Sequence, residues 1–222
     1  IDADTGMANL LFHAGLDDAT VTLHDLLVGE EDAAVPDAVY ERFGMKVVPC
    51  GTSLAAFRAA DPERLRDVVA ELAADTDVLL LDSPAALGSK SAVLPIVLAD
   101  RTMIVLQPTI PALSDGLKVQ EYARSYGTET AGTLFNRVRD DEGVDRVAEQ
   151  ADRYFGGETL GVIPESDAAR AARAAGEPLL AHAPDAPASQ AFREAARRLD
   201  VRDGASGDVA DRFRSAVVPE EI

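Results

Sequence analysis

The sequence predicts an α/β fold, a mostly parallel sheet with helices on both faces. Three observations carry that prediction. Short β-branched or Leu-rich runs alternate with amphipathic helical stretches along the 222 residues. No tight-turn signal joins consecutive runs as a hairpin, so crossover connections and parallel strands follow. Several of the apolar runs stop at a polar residue or a proline, and in sheets of this kind ligands bind beyond the carboxyl ends of the strands. With 47% hydrophobic residues the chain can bury a substantial core.

Taken in order, Met45–Pro49 reads as a short strand. A helix follows over Pro62–Ala74, with Asp61 as N-cap, Pro62 at the first helical position and Leu65, Val68, Val69 and Leu72 on one face. Asp77–Leu81 is apolar after its first residue, as strands covered on both faces are, and it ends at Asp82-Ser83-Pro84. Thr102–Leu106 repeats the pattern and stops at Gln107-Pro108. Ser114 is expected to cap a helix reaching Tyr126, and Gly132–Phe135 is a strand ending at Asn136. A helix around Val144–Tyr154 precedes the strand Leu160–Ile163, which stops at Pro164. Ser166–Ala175 is a helix closed by Gly176, and Ser189–Leu199 is the last strong one. Residues 1–200 form the expected domain, and 201–222 begin as a linker-like tail with no core pattern.

Charge and composition exclude several classes. Asp and Glu number 39 against 21 Lys and Arg, for a formal charge of −18, which repels nucleic-acid phosphate and anionic lipid. Nucleic acid is therefore not an expected partner. Only Lys46, Lys90 and Lys118 are lysines. Acidic, Lys-poor surfaces suit high salt, which points to a halophile-type protein, the alternative being an ordinary acidic protein of a high-GC genome. The single cysteine, Cys50, rules out an internal disulfide. No apolar run approaches the length of a membrane span, and no signal-like start is present, so a cytoplasmic location is expected.

The strand ends supply the candidate site residues. Asp2 and Asp4 sit two residues apart at the end of a strand, and if the strand breaks at Asp4 the two can converge on one pocket. Such a pair beside a phosphate would hold Mg²⁺ through water and position an attacking water; the plainer alternative is turn chemistry in Asp-Thr-Gly. Asp82 at the end of an apolar run could deliver a carboxylate toward a metal, or simply cap the next turn. Asn136 could read a nucleobase edge with its amide, or terminate a strand, and Ile163-Pro164-Glu165 could lie against an adenine ring or mark a Pro-ended strand. His13, His24 and His182 show no metal spacing and receive no chemistry. Gly88-Ser89-Lys90-Ser91 lacks the G-x-x-x-x-G-K-[ST] spacing of a phosphate-cradling loop.

Together and in order, these segments resemble the MinD/ParA family of deviant-Walker-A ATPases, on its MinD side. Ile1-Asp2-Ala3-Asp4-Thr5-Gly6-Met7-Ala8-Asn9-Leu10 is similar to the family's switch I pattern D-x-D-x-G-x-x-N-L. Leu79–Ala85 resembles its Walker B and switch II, Leu134–Val138 its N-R-V strand end, and Leu160–Ser166 through Gly176-Glu177-Pro178 its LGVIPED…GEPV region. The resemblance covers about residues 1–200 and implies a P-loop NTPase-like fold whose cofactors are ATP and Mg²⁺. It implies that Asp4 positions the water, that Asp2 and Asp82 serve Mg²⁺, and that Asn136, Pro164 and Glu165 hold adenine. It also implies a nucleotide-dependent homodimer, a protein partner or cargo, and a role in spatial positioning such as cell division. A non-catalytic interaction protein on the same fold is the alternative.

The family's signature loop, KGGVGKT, is not in the sequence. The start at Ile1 inside a strand leads to the expectation that the first strand, P-loop and helix lie upstream, and that the intact protein binds ATP while these 222 residues alone do not. Ala86 stands where the family's switch II has glycine, so close approach of its N–H to a phosphate requires a negative φ there. In the tail, Val209, Phe213, Ala216 and Val217 share a helical face that could touch a membrane, but Asp208, Asp211, Glu220 and Glu221 neutralise its arginines.

Overall fold

The computed structural model describes residues 1–85, 89–139, 149, 151 and 153–201. The expected helix over 144–154, the switch II positions 86 and 88, and the tail from 202 onward lie largely or wholly outside them. The chain divides into two compact units, one of residues 1–98 with 175–177, the other of residues 99–174 with 178–201.

The first unit is built on helices α1 (Leu10–His13), α2 (Leu23–Val28), α3 (Leu54–Ala59), α4 (Leu65–Ala74) and α5 (Lys90–Leu98). Its core joins Leu23, Leu26 and Leu27 of α2 to Leu65, Val68 and Val69 of α4 and to Leu94 and Leu98 of α5, with Ala3, Val48 and Cys50 between them. The α4 stripe and its entry through Asp61 are as expected. Asp61 Oδ1 accepts the Glu63 N–H at 3.0 Å, and Pro62–Arg64 forms a 3₁₀ turn into α4.

Two expectations for this unit are corrected. Strands β1 (Tyr40–Arg42) and β2 (Met45–Val47) pair antiparallel, forming a hairpin where none was expected. Its two-residue loop, Phe43-Gly44, takes φ of 53° and 76°, the geometry of a type I′ turn, and phenylalanine hides that turn because Asn or Asp usually stands there. Asp77–Leu81 is not a ladder strand. Among the described residues it has one parallel bridge, Asp2 to Asp82, and no partner on its other edge. Leu79 and Leu81 pack on the core, whereas Val78 and Leu80 face outward, so one face is covered and not two.

The second unit holds the parallel sheet, β3 (Arg101–Leu106), β4 (Glu129–Val138) and β5 (Thr159–Pro164), in that spatial order. Helix α6 (Ile110–Ser125) covers one face through Ala112, Leu113 and Leu117 against Ile104, Leu106 and Phe135. Beyond β5 come α7 (Asp167–Ala175), α8 (Leu179–His182) and α9 (Pro187–Arg198). The other face packs Leu134, Leu160 and Ile163 against Ala188 and Ala195 of α9. Helices on both faces of a parallel sheet are the expected architecture. Helix α6 is capped five residues before Ser114: the Thr109 hydroxyl accepts the Ala112 N–H, and Pro111 suits the first turn. Strand β4 does not end at Asn136 but runs on to Val138, because a bulge absorbs Asn136 and Arg137 between the pairs Phe135–Val162 and Val138–Pro164.

Candidate functional site

The Asp2–Leu10 segment is a loop clamped at several points. Backbone bonds Asp2 N–H to Val48 O and Ala3 N–H to Asp82 O lay its start beside the chain that carries Asp82. Ala3 is fully buried, which fixes the loop between its two acids. Asp2, only 1% exposed, turns its carboxylate inward: Oδ2 accepts the N–H of Asn9 at 3.1 Å and of Leu10 at 3.0 Å. Those are the orphan donors at the start of α1, which Asn9's own side chain does not cap, so Asp2 caps that helix from a distance. Asp4 is half-buried at the turn. Its Oδ1 accepts the Met7 N–H at 3.0 Å, and among the described residues no protein group bonds its other oxygen.

The electrostatics of these acids are coupled. Burial pushes the Asp2 carboxyl above the usual carboxylate range against the pull of its backbone donors, and the charge of Asp82 adds to the rise. The Asp82 side chain is exposed, yet partial desolvation by the surrounding chain raises its carboxyl too, with Asp4 as the next cause. Asp2, Asp4 and Asp82 thus converge at one edge of the first unit and repel one another.

In the second unit, Arg137 takes φ of 57°, and its N–H donates to Asn136 Oδ1 at 2.9 Å, occupying one acceptor position of the half-buried amide. Pro164 closes β5, and the Glu165 N–H donates to Val138 O at 2.7 Å. An open cavity of about 300 Å³ sits here, walled by Val138, Arg139, Pro164, Glu165, Ser166 and Arg170. The Glu165 carboxylate is committed to guanidinium groups, accepting from Arg139 Nε at 2.7 Å and Arg170 Nη1 at 3.4 Å. The hydrogen bond from Arg139, then that residue's charge, holds the Glu165 carboxyl below its usual value. Glu165 therefore offers a cavity wall rather than a free acid. A larger groove along α9, about 630 Å³, contains none of the candidate residues.

No protein-family model matches the chain. It is 38% identical over 200 residues to an uncharacterized ATP-binding protein of Methanocaldococcus jannaschii, across 90% of this chain and 74% of that protein. The chain belongs to the MinD/ParA family. Its backbone matches the solved structure of the Pyrococcus furiosus cell division ATPase MinD with a TM-score of 0.80 at 30% identity, over 89% of this chain and 82% of that one. It matches the septum site-determining protein MinD of Pyrococcus horikoshii, solved in complex with Mg-ADP, with a TM-score of 0.78 at 31% identity, over 90% and 81%.

The donor set of this MinD/ParA chain fits Mg²⁺ in one specific sense. Among the described residues no three side chains form a chelating group on their own. Hard divalent Mg²⁺ usually keeps several waters and takes one or two carboxylates with phosphate oxygens, which the neighbouring acids Asp2, Asp4 and Asp82 suit. One residue of the neighbourhood escaped the sequence reading. His24 of α2, 2% exposed, places its Nε2 at 3.0 Å from the Thr5 carbonyl oxygen, one residue past Asp4. Its helical neighbours, Leu23, Leu26 and Leu27, mark a buried face, but the loop it touches is distant in sequence.

Proposed function

We propose that this chain carries the switch residues and base-side residues of a MinD-type ATP-binding and ATP-hydrolysing switch, which dimerises with nucleotide and serves spatial positioning. The convergence of Asp2, Asp4 and Asp82 in a chain of this family is the observation that supports it. When bound, Mg²⁺ would neutralise phosphate charge as the phosphoryl group is transferred.

In this reading Asp82 and Asp2 serve the metal side. Asp82 is the accessible partner, whereas Asp2 acts mainly by holding the loop, since its Oδ2 already accepts two backbone donors. Asp4 presents a carboxylate oxygen that no protein group among the described residues occupies, suited to orienting a water for in-line attack. On the base side, Asn136 offers an amide set on a bulge, and Pro164 with Glu165 forms the wall against which a flat heterocycle would lie. The phosphate-cradling loop of the family is not among these 222 residues, and the match spans 74% of the Methanocaldococcus jannaschii relative.

Calorimetric titration of the full-length protein with Mg-ATP, followed by light scattering on the eluted complex, tests it. Saturable binding and a dimer with ATP that reverts with ADP are expected. Absence of binding would refute the reading, and binding without a mass change would remove the dimer from it.

A further inference from the structure

We propose that His24 is a positioning residue for Asp4: its Nε2–H donates to the Thr5 carbonyl and so fixes the loop that carries the Asp4 carboxylate. The kinetic part of this inference rests on the ATPase reading above, and the structural part does not.

The ring is held before it holds anything. It sits at the second position of α2, whose start is locked by Asp25 Oδ2 accepting both the Thr22 N–H and the Thr22 hydroxyl at 2.7 Å. Phe57 of α3 braces it at a centroid distance of 6.4 Å and also lies 3.8 Å from where a Cβ on Gly6 would stand. Space for the ring depends on Gly51, where a Cβ would come within 3.2 Å of His24 Nδ1.

The chemistry of the ring points the same way. Because the partner at 3.0 Å is a carbonyl, the proton belongs on Nε2, which leaves Nδ1 as a bare acceptor. That atom is buried and has no hydrogen-bond partner among the described residues. Burial also lowers the tendency of His24 to take up a second proton. Among leucines, an apolar side chain of similar volume would spare the core an unsatisfied nitrogen. What imidazole supplies in exchange is one N–H aimed at Thr5. With Asp2 tying down Asn9 and Leu10, the loop is fixed on both sides of its turn, and Asp4 is the acid left projecting.

The test compares full-length wild type with His24→Leu, which keeps volume and loses the donor, and His24→Gln, which restores an N–H of similar reach. Asp4→Ala is the control. In hydrogen exchange without nucleotide, His24→Leu is expected to speed exchange of the Met7, Asn9 and Leu10 amides by about tenfold or more. In turnover it lowers kcat by about tenfold with KM for ATP within about twofold, and His24→Gln recovers most of both. Wild-type exchange and kcat in His24→Leu would overturn the proposal, as would a loss confined to KM, or a folded His24→Gln as impaired as His24→Leu. If wild type shows no turnover that Asp4→Ala abolishes, the ATPase reading fails while the exchange arm still decides the anchoring. Should His24→Leu fail to fold, long-range proton–nitrogen NMR of wild type decides: the Nε2–H tautomer is expected, and the Nδ1–H tautomer would overturn the assignment.

Discussion

Replacing Asp2 by alanine isolates the clamp on the loop. The wild-type carboxylate accepts two backbone N–H groups, at 3.1 and 3.0 Å, from the first residues of α1. Hydrogen bonds to a charged group contribute about 1.5–3 kcal/mol each, so the gross loss is about 3–6 kcal/mol. Two terms offset it. Asn9 is exposed, so its freed N–H regains water, and the substitution also removes a carboxylate whose burial and proximity to Asp82 are themselves unfavourable. A net destabilisation of about 2 kcal/mol remains. In urea unfolding followed by far-UV circular dichroism, with a slope of about 2 kcal/mol/M, the midpoint should fall by about 1 M at unchanged slope. Asp2→Asn keeps an acceptor and should lose about half as much. The pH dependence has a definite sign. Because the folded-state pKa of Asp2 is raised, the native protein binds the proton more tightly than the unfolded chain. Stability contributed at this site therefore falls as pH rises from the ordinary carboxylate range through the folded pKa, and the difference between wild type and Asp2→Asn should show that slope. A midpoint for Asp2→Ala within about 0.2 M of wild type would refute the clamp.

Three further outcomes are expected. Gly132→Ala should destabilise by about 3 kcal/mol in the same urea assay, since φ is 150° there and a Cβ would stand 2.6 Å from the Glu158 carbonyl oxygen; wild-type stability would contradict the packing. Asp82→Asn, without nucleotide or Mg²⁺, should raise the melting temperature by about 1–2 °C by relieving repulsion from Asp4, small because the side chain is exposed, and a lower melting temperature would speak against the carboxylate cluster. Arg139→Ala should raise the pKa of Glu165 as followed by carbon NMR titration, because the Arg139 hydrogen bond is the largest cause of its depression; an unmoved titration would break that assignment.

Much of the architecture was legible because its determinants are local. The apolar run at Thr102–Leu106, the Pro-ended run at Leu160–Ile163 and the Asp61-Pro62 entry to α4 each carry their own start and stop signals. Features decided by distant partners were not. Among the described residues Asp77–Leu81 has strand composition but no ladder partner of its own, the one bridge lying next to it at Asp82, and the Phe43-Gly44 turn is set by the pairing of its strands rather than by its residues. Continuous apolarity over Ala92–Leu98 does not separate a helix from a strand, and α5 even contains Pro95.

The candidate site divides the same way. Asp2, Asp4 and Asp82 could be named from strand ends, since strand ends are where chain direction breaks. That Asp2 faces inward as a helix cap depends on the Asn9 and Leu10 N–H groups, seven and eight residues further on. Asn136 read as a strand end because a bulge has no residue signature of its own, and His24 received no chemistry because its acceptor lies 19 residues away.

Steady-state Mg-ATP hydrolysis by the full-length protein, wild type beside Asp4→Ala, tests the central claim most directly. Slow turnover in wild type and a fall of about a hundredfold in kcat for Asp4→Ala, with nucleotide affinity retained, is the predicted result. Equal turnover in both proteins would contradict it.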